Sequence, residues 1–296
     1  MQVSVQDVVS TVKNSFNFSV DKFPLSGPDG MRTPWYALFR SDNFEPVGNG
    51  SVTSRYVPHQ TDDVIALVEA AHEAFDGEID LNCHFRDGHY VTVAPTKGER
   101  RAIFGTADNI FPRVIIRAGY DGKAFSATMG YYRDACRNLA MLRSVNEASV
   151  SIRHTSGLRD KMDDLLSTFQ TLKQSWATLA DVVVELQNRE VRMVDFLDQV
   201  YGQPDANSKR GVTVHKNRTE AIFKRLARER FQTGRGQFDD SFTVSAWEAF
   251  NAVQGYVQHD ATRKKNFAGD FDRIILAAKD QKVIAAEKIV MDLIAV

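Results

Sequence analysis

The first periodic segment runs from Val3 to Phe16, where Val5, Val8, Val9 and Val12 recur at helical spacing behind Ser4 as a cap. Residues 23–50 break that order. Pro24, Pro28, Pro34 and Pro46, with several glycines, read as loop around the apolar run Trp35 to Phe39. Ser51 to Val57 alternates as a strand. Thr61-Asp62-Asp63 then caps a helix over Val64 to Phe75, its acids at the positive end of the helix dipole.

Strand-like alternation follows. Two runs flank Asp87-Gly88 and two flank Asp121-Gly122, dipeptides suited to the left-handed positions of tight hairpin turns. Pairing Ile79–Arg86 with His89–Ala94 groups Ile79, Leu81, Cys83 and Phe85 with Tyr90. Asp80, Asn82, His84, Arg86 and His89 fall on the opposite face. In the second hairpin Val114, Ile116, Ala118, Phe125, Ala127 and Met129 form an apolar face. Arg113, Arg117, Ser126 and Thr128, with Ile115, form a polar one. Such a sheet is covered by helices on one face.

Beyond Tyr131 the spacing turns helical, with Tyr132, Ala135, Leu139 and Leu142 as the stripe and Arg133, Arg137 and Asn138 elsewhere. A strand-like piece, Ser149 to Arg153, precedes a near-heptad stripe from Leu158 to Leu186, either a bundle helix or an oligomer seam. After a break at residues 201–205, residues 243–296 are helical, with Trp247, Phe250, Val253 and Val257 on one stripe and Lys279 to Leu293 as a last amphipathic helix. The expected class is α+β: an antiparallel sheet built from hairpins with helices on one face in residues 1–155. A long helix and a helical C-terminal region follow in residues 156–296.

At 43% hydrophobic and 25% charged, the 296 residues suffice for a sizeable core. The formal charge of -1 excludes a polycation, so any nucleic-acid surface must be local. Two distant cysteines, Cys83 and Cys136, argue against a disulfide scaffold or a thiolate zinc site. No apolar run reaches membrane-span length and the N-terminus lacks a signal-peptide pattern, so no membrane is expected and a cytosolic, reducing compartment is the expected location.

The sharpest charge feature is residues 209–235. Nine basic residues (Lys209, Arg210, Lys216, Arg218, Lys224, Arg225, Arg228, Arg230, Arg235) stand against Glu220 and Glu229, a net charge of +7. That density suits phosphate binding, the bland alternative being a solvated helix face. The polar sheet face is a second candidate: His84, Arg86, His89, Arg113 and Arg117 could track a single-stranded backbone, with Tyr36, Tyr131 or Tyr132 stacking on bases. His84 and His89 fall short of a zinc site, which needs three or four converging ligands. His154 and His259 are candidate bases, but a lone histidine beside a helix start is more often structural. No GxSxG, Walker loop or GxGxxG is present, so no catalytic residue, metal or cofactor is assigned.

The order Ala118-Gly119-Tyr120-Asp121-Gly122, Tyr131-Tyr132-Arg133, Cys136-Arg137-Asn138 and Arg153-His154-Thr155 resembles the core signature of the phage/plasmid-like protein family. That is a domain-of-unknown-function family of bacteriophages, prophages and conjugative plasmids. Gly50-Ser51-Val52 with Tyr56-Val57-Pro58 is similar to its opening. Thr243 to Trp247, Asn251-Ala252-Val253, His259-Asp260 and Arg263 are similar to its tail. Phe267 to Asp272 departs from it, lacking the family's frequent Phe-Gly pair. The resemblance implies a mobile-element protein acting in the cytoplasm of a bacterial host, without implying a reaction.

The order helix, hairpins, long helix also resembles phage single-strand annealing proteins, a likeness of architecture alone. The resulting expectation is a DNA-metabolism protein that binds single-stranded DNA and promotes annealing without ATP, as a homo-oligomer. Arg86, Arg113, Arg117, Arg133, Arg137, Lys216, Arg218, Lys224 and Arg225 are its expected phosphate contacts. One alternative is an interaction protein binding a host factor through Leu158 to Leu186. Another is a metal-dependent nuclease using His89 or His154.

Overall fold

A computed structural model of the chain describes residues 4–48, 50–85, 88–95, 101–102, 108–120, 124–133, 139–140, 149–152, 178, 180–238, 241–261 and 280–295. The fold is mixed α+β with antiparallel sheets. It divides into two compact units that interleave along the chain, one of residues 1–99, 112–129 and 147–175 and the other of residues 100–111, 130–146 and 176–296.

In the first unit, helix α1 (Val5–Ser15) starts as its residues dictate. The Ser4 hydroxyl accepts the Asp7 N–H at 3.1 Å while Asp7 accepts from the Ser4 N–H, a reciprocal cap. Helix α2 (Thr61–Ala74) is capped one residue earlier than its sequence suggests, by Gln60, whose N–H donates to Asp63 at 2.6 Å. Val8 and Val12 of α1 and Val64, Leu67, Val68 and Ala71 of α2 share one core with the sheet residues Val91, Val93, Val114, Ile116, Ala118, Phe125 and Ala127.

Residues 20–53, expected as loop for the most part, form a three-stranded antiparallel sheet instead: β1 (Val20–Ser26), β2 (Arg32–Arg40) and β3 (Val52–Thr53). Pro24 is accommodated rather than disruptive, because β1 is an edge strand and its register shifts between Pro24 and Ser26. Val20, Leu38 and Val52 face a core with Tyr120, while Phe23, Leu25 and Trp35 are exposed. Gly48 sits against this core at φ +77°, and a Cβ there would lie 2.2 Å from the Tyr120 carbonyl oxygen. Gly48→Ala is therefore expected to destabilise the protein by about 1–3 kcal/mol, read as a lower urea midpoint.

The larger sheet contains β4 (Ile79–Phe85), β5 (Gly88–Pro95), β6 (Arg101–Ala102), β7 (Asn109–Gly119), β8 (Phe125–Arg133), β9 (Leu139–Ala140) and β10 (Ser149–Ile152). Its main path is β10-β8-β7-β5-β4, with β6 on β7 and β9 on β8. Two expectations change here. Phe85 pairs with His89 and His84 with Tyr90, and Gly88 is already a strand residue, so the register is one residue away from the expected one. A one-residue change of register exchanges faces. His89 thus joins the apolar face and is fully buried, while Tyr90 opposes His84. Gly88 serves a close approach of strands: its Cβ would lie 2.4 Å from the Ala118 carbonyl oxygen. The second change is the end of β8. Tyr131 and Tyr132 pair with Ala140 and Leu139 in a ladder, where helical spacing had been expected. Two adjacent tyrosines suit a strand better than a helix.

In the second unit, β11 (Glu190–Arg192) pairs with β12 (Thr243–Ser245). Helices α3 (Met193–Tyr201), α4 (Lys209–Gln232), α5 (Ala246–Gly255) and α6 (Gln281–Asp292), with helical residues 180–188, enclose a core built around Trp247, Phe250 and Phe196. Helix α5 is buried along its whole length and runs into a π turn over Tyr256–Asp260. The expected Trp247, Phe250 and Val253 stripe lies in this core. The expected helix from Leu158 lies outside the described residues as far as residue 177.

Candidate nucleic-acid interface

Helix α4 carries most of the basic segment over 24 residues, and the Ser208 hydroxyl starts it by accepting the Gly211 N–H at 3.0 Å. Ile222, Arg225, Leu226 and Glu229 form its buried stripe. The nine basic residues separate into two groups along that division. Lys209, Arg210, Lys216, Lys224 and Arg228 are exposed, with Glu220 the one exposed acid of the segment, a surface net charge of +4. Arg210, Lys224 and Arg228 share one side of the helix with Asn217, and the row from Arg210 to Arg228 extends about 27 Å. Lys216 pairs loosely with Glu220 at 3.9 Å, both well exposed, an arrangement that holds little energy.

The other four turn inward. Arg225 donates to Asp260 at 2.7 Å and lies 3.6 Å from Glu229. Arg230 and Arg235 converge on Glu248 at 2.9 and 3.0 Å. Arg218 lies over the Tyr201 ring, 3.9 Å from its centroid. Arg133 joins them: its Nε donates to Asp108 at 2.7 Å and its Nη1 to Glu229 at 3.1 Å, with side-chain exposures of 4%, 0% and 5% for the three. Burial pushes the Glu229 carboxyl up, and Arg133 and Arg225 pull it back. Glu248 also closes the cap of α5, accepting from the Ser245 N–H and hydroxyl.

Of the expected phosphate contacts, Lys216 and Lys224 face solvent, and Arg113 and Arg218 are half-buried. Arg117, Arg133 and Arg225 are buried, at 6%, 3% and 8% exposure. Arg86 and Arg137 lie outside the described residues, as do Arg153 and His154. Arg113 and Arg117 belong to the first unit, the α4 residues to the second. The polar sheet face is covered at several of its described residues. Thr92, Ile115 and Arg117 on it are buried, with Arg117 5.7 Å from the Tyr90 ring.

Sequence reasoning missed a buried histidine pair in the first unit. His59 Nε2 and His89 Nδ1 lie 2.7 Å apart, both fully buried. The His59 ring stacks on Tyr120, centroids 4.2 Å apart, and the Tyr120 hydroxyl donates to the His59 carbonyl. His84 and His89 lie on opposite faces, and no group of three metal-ligating side chains converges among the described residues. Burial also pushes the Cys83 thiol up to about 11, leaving it protonated at neutral pH.

The model of a protein family described as "Domain of unknown function (DUF932)" matches residues 49–283. The chain belongs to this family. Neither the curated proteins nor the solved structures contain a significant match to the DUF932 chain. The matched span includes the histidine pair, the buried ion network and all of α4. No described helix of the DUF932 protein is long and apolar enough to cross a membrane.

Proposed function

We propose that this DUF932 protein binds single-stranded DNA through the solvent face of α4 and promotes strand annealing without ATP, in the DNA metabolism of a mobile element. The observation that carries this reading is the row of cations left facing water once Glu229, Glu248 and Asp260 have taken up Arg225, Arg230 and Arg235. Five exposed cations against one exposed acid, in a chain of net charge -1, concentrate attraction for a polyanion at one place. Self-association is part of the reading, supported by the exposed Phe23, Leu25 and Trp35 on the outward face of the β1–β2 hairpin.

Binding through four or five phosphates should weaken roughly 50- to 130-fold between 50 and 200 mM salt. A mobility-shift titration on a labelled oligonucleotide measures this. The double variant Lys224→Glu/Arg228→Glu should bind at least roughly tenfold more weakly, with a shallower salt dependence. Absence of binding at low salt, or unchanged binding by the double variant, removes the reading. Mixing complementary labelled strands without nucleotide tests the annealing step. Sizing with and without oligonucleotide tests the assembly.

A further inference from the structure

We infer that Phe231 and Phe242 stack on unpaired bases, so that the α4 face distinguishes single strands from duplex; the inference rests on the reading that this face binds nucleic acid. Phe231 is 82% exposed, more than any other large apolar side chain among the described residues. It lies three residues after Arg228 and seven after Lys224, spacings that put all three on one side of the helix. A ring placed in water beside a row of cations suits a ligand that is both anionic and flat.

A second ring is held nearby. Phe223 lies eight residues before Phe231, about 12 Å along the axis. Its ring contacts those of Phe242 and Phe238, with centroids 5.6 and 6.1 Å away. Phe242 is 43% exposed and adopts φ +52°, a left-handed conformation that a bulky residue rarely takes. Its carbonyl accepts the Met193 N–H at 3.0 Å, which anchors that backbone. Arg230, 5.3 Å from the Phe238 ring and paired with Glu248, backs the cluster. The strained residue therefore keeps an aromatic ring at the surface.

Stacking of this kind requires an accessible base face. In a duplex each base face is covered by the next pair, so a ring on a convex helix meets backbone and base edges and no base face. In a single strand every base presents a π-face, and each stack contributes about 1–3 kcal/mol whatever the base. The cations supply affinity for either form, and the rings supply the difference between them.

The test compares fluorescence anisotropy of a labelled oligothymidylate with that of a duplex of equal length, in one buffer. Phe231→Ala should weaken single-strand binding roughly tenfold and duplex binding less than roughly twofold, with the salt dependence unchanged. Phe231→Trp should restore single-strand binding. Phe44→Ala, at a ring 70% exposed in the other unit, should change neither. Equal loss on both ligands, or no loss on either, overturns the stacking inference even where the double charge reversal still weakens binding. Charge reversal without effect overturns the nucleic-acid reading itself.

Discussion

Replacing Arg133 by methionine is expected to lower the free energy of unfolding by about 3–5 kcal/mol, measured by urea denaturation at neutral pH. The guanidinium lies between Asp108 at 2.7 Å and Glu229 at 3.1 Å, all three side chains at most 5% exposed. Methionine fills much of the same volume, so the loss is electrostatic rather than a cavity effect. It removes the guanidinium from the buried Asp108 carboxylate and from Glu229, which keeps Arg225 at 3.6 Å. Glu229 is already pushed up by burial, and without Arg133 it should rise further. The penalty should consequently shrink as pH falls and the Glu229 carboxyl takes up a proton. Arg133→Met/Asp108→Leu should recover part of the loss, because removing both partners of a buried pair costs less than removing one. A loss below about 1 kcal/mol would show that the pair contributes no more than an exposed one. The salt dependence of the proposed single-strand binding should not change in Arg133→Met, which separates this arginine's structural role from the phosphate contact its residue type suggested.

That reassignment shows where the sequence was readable. Local rules reached the right place at several helices: Ser4 with Asp7 at α1, Thr61 to Asp63 at the start of α2, and the Trp247, Phe250 and Val253 stripe in α5. The cluster of basic residues was equally visible. Which of them face water was not, because Arg225, Arg230 and Arg235 are claimed by Asp260 and Glu248, 35, 18 and 13 residues away. Arg133 is separated from Asp108 by 25 positions and from Glu229 by 96, and no periodicity in the chain signals either pairing. His89 was lost for a smaller reason. Asp87-Gly88 looks like the turn, but Gly88 is a strand residue kept small by the Ala118 carbonyl, and that single step of register moved a histidine from solvent to core. A sign was present nonetheless: His89 follows the alternation of Val91 and Val93, both fully buried.

The buried position of His89 should make the protein lose stability as pH falls below about 6.5, at up to about 1.4 kcal/mol per pH unit, or about 2 kcal/mol between pH 7.5 and 5. Burial lowers the His89 imidazole from its ordinary 6.5 to about 3. The folded state thus holds it neutral across a range in which the unfolded chain binds a proton. Above pH 6.5 both states are neutral and this group contributes no slope; between 6.5 and about 3 the unfolded state gains. Geometry supplies the same direction independently. His59 Nε2 and His89 Nδ1 at 2.7 Å share one proton between them, and a second would set two N–H groups against each other. The surroundings are the rings of Phe16, Phe18, Phe85 and Tyr120, which offer little to an imidazolium beyond a partial cation–π attraction. His89→Gln keeps a group able to hydrogen-bond His59 and removes the titration. Urea midpoints at pH 7.5, 6.5, 5.5 and 4.5 should fall more steeply for the wild type than for this variant, the carboxylate contribution being common to both. Parallel curves would mean that His89 takes up its proton without leaving the core, and the neutral histidine pair would then not be what holds β5 against Tyr120 and His59.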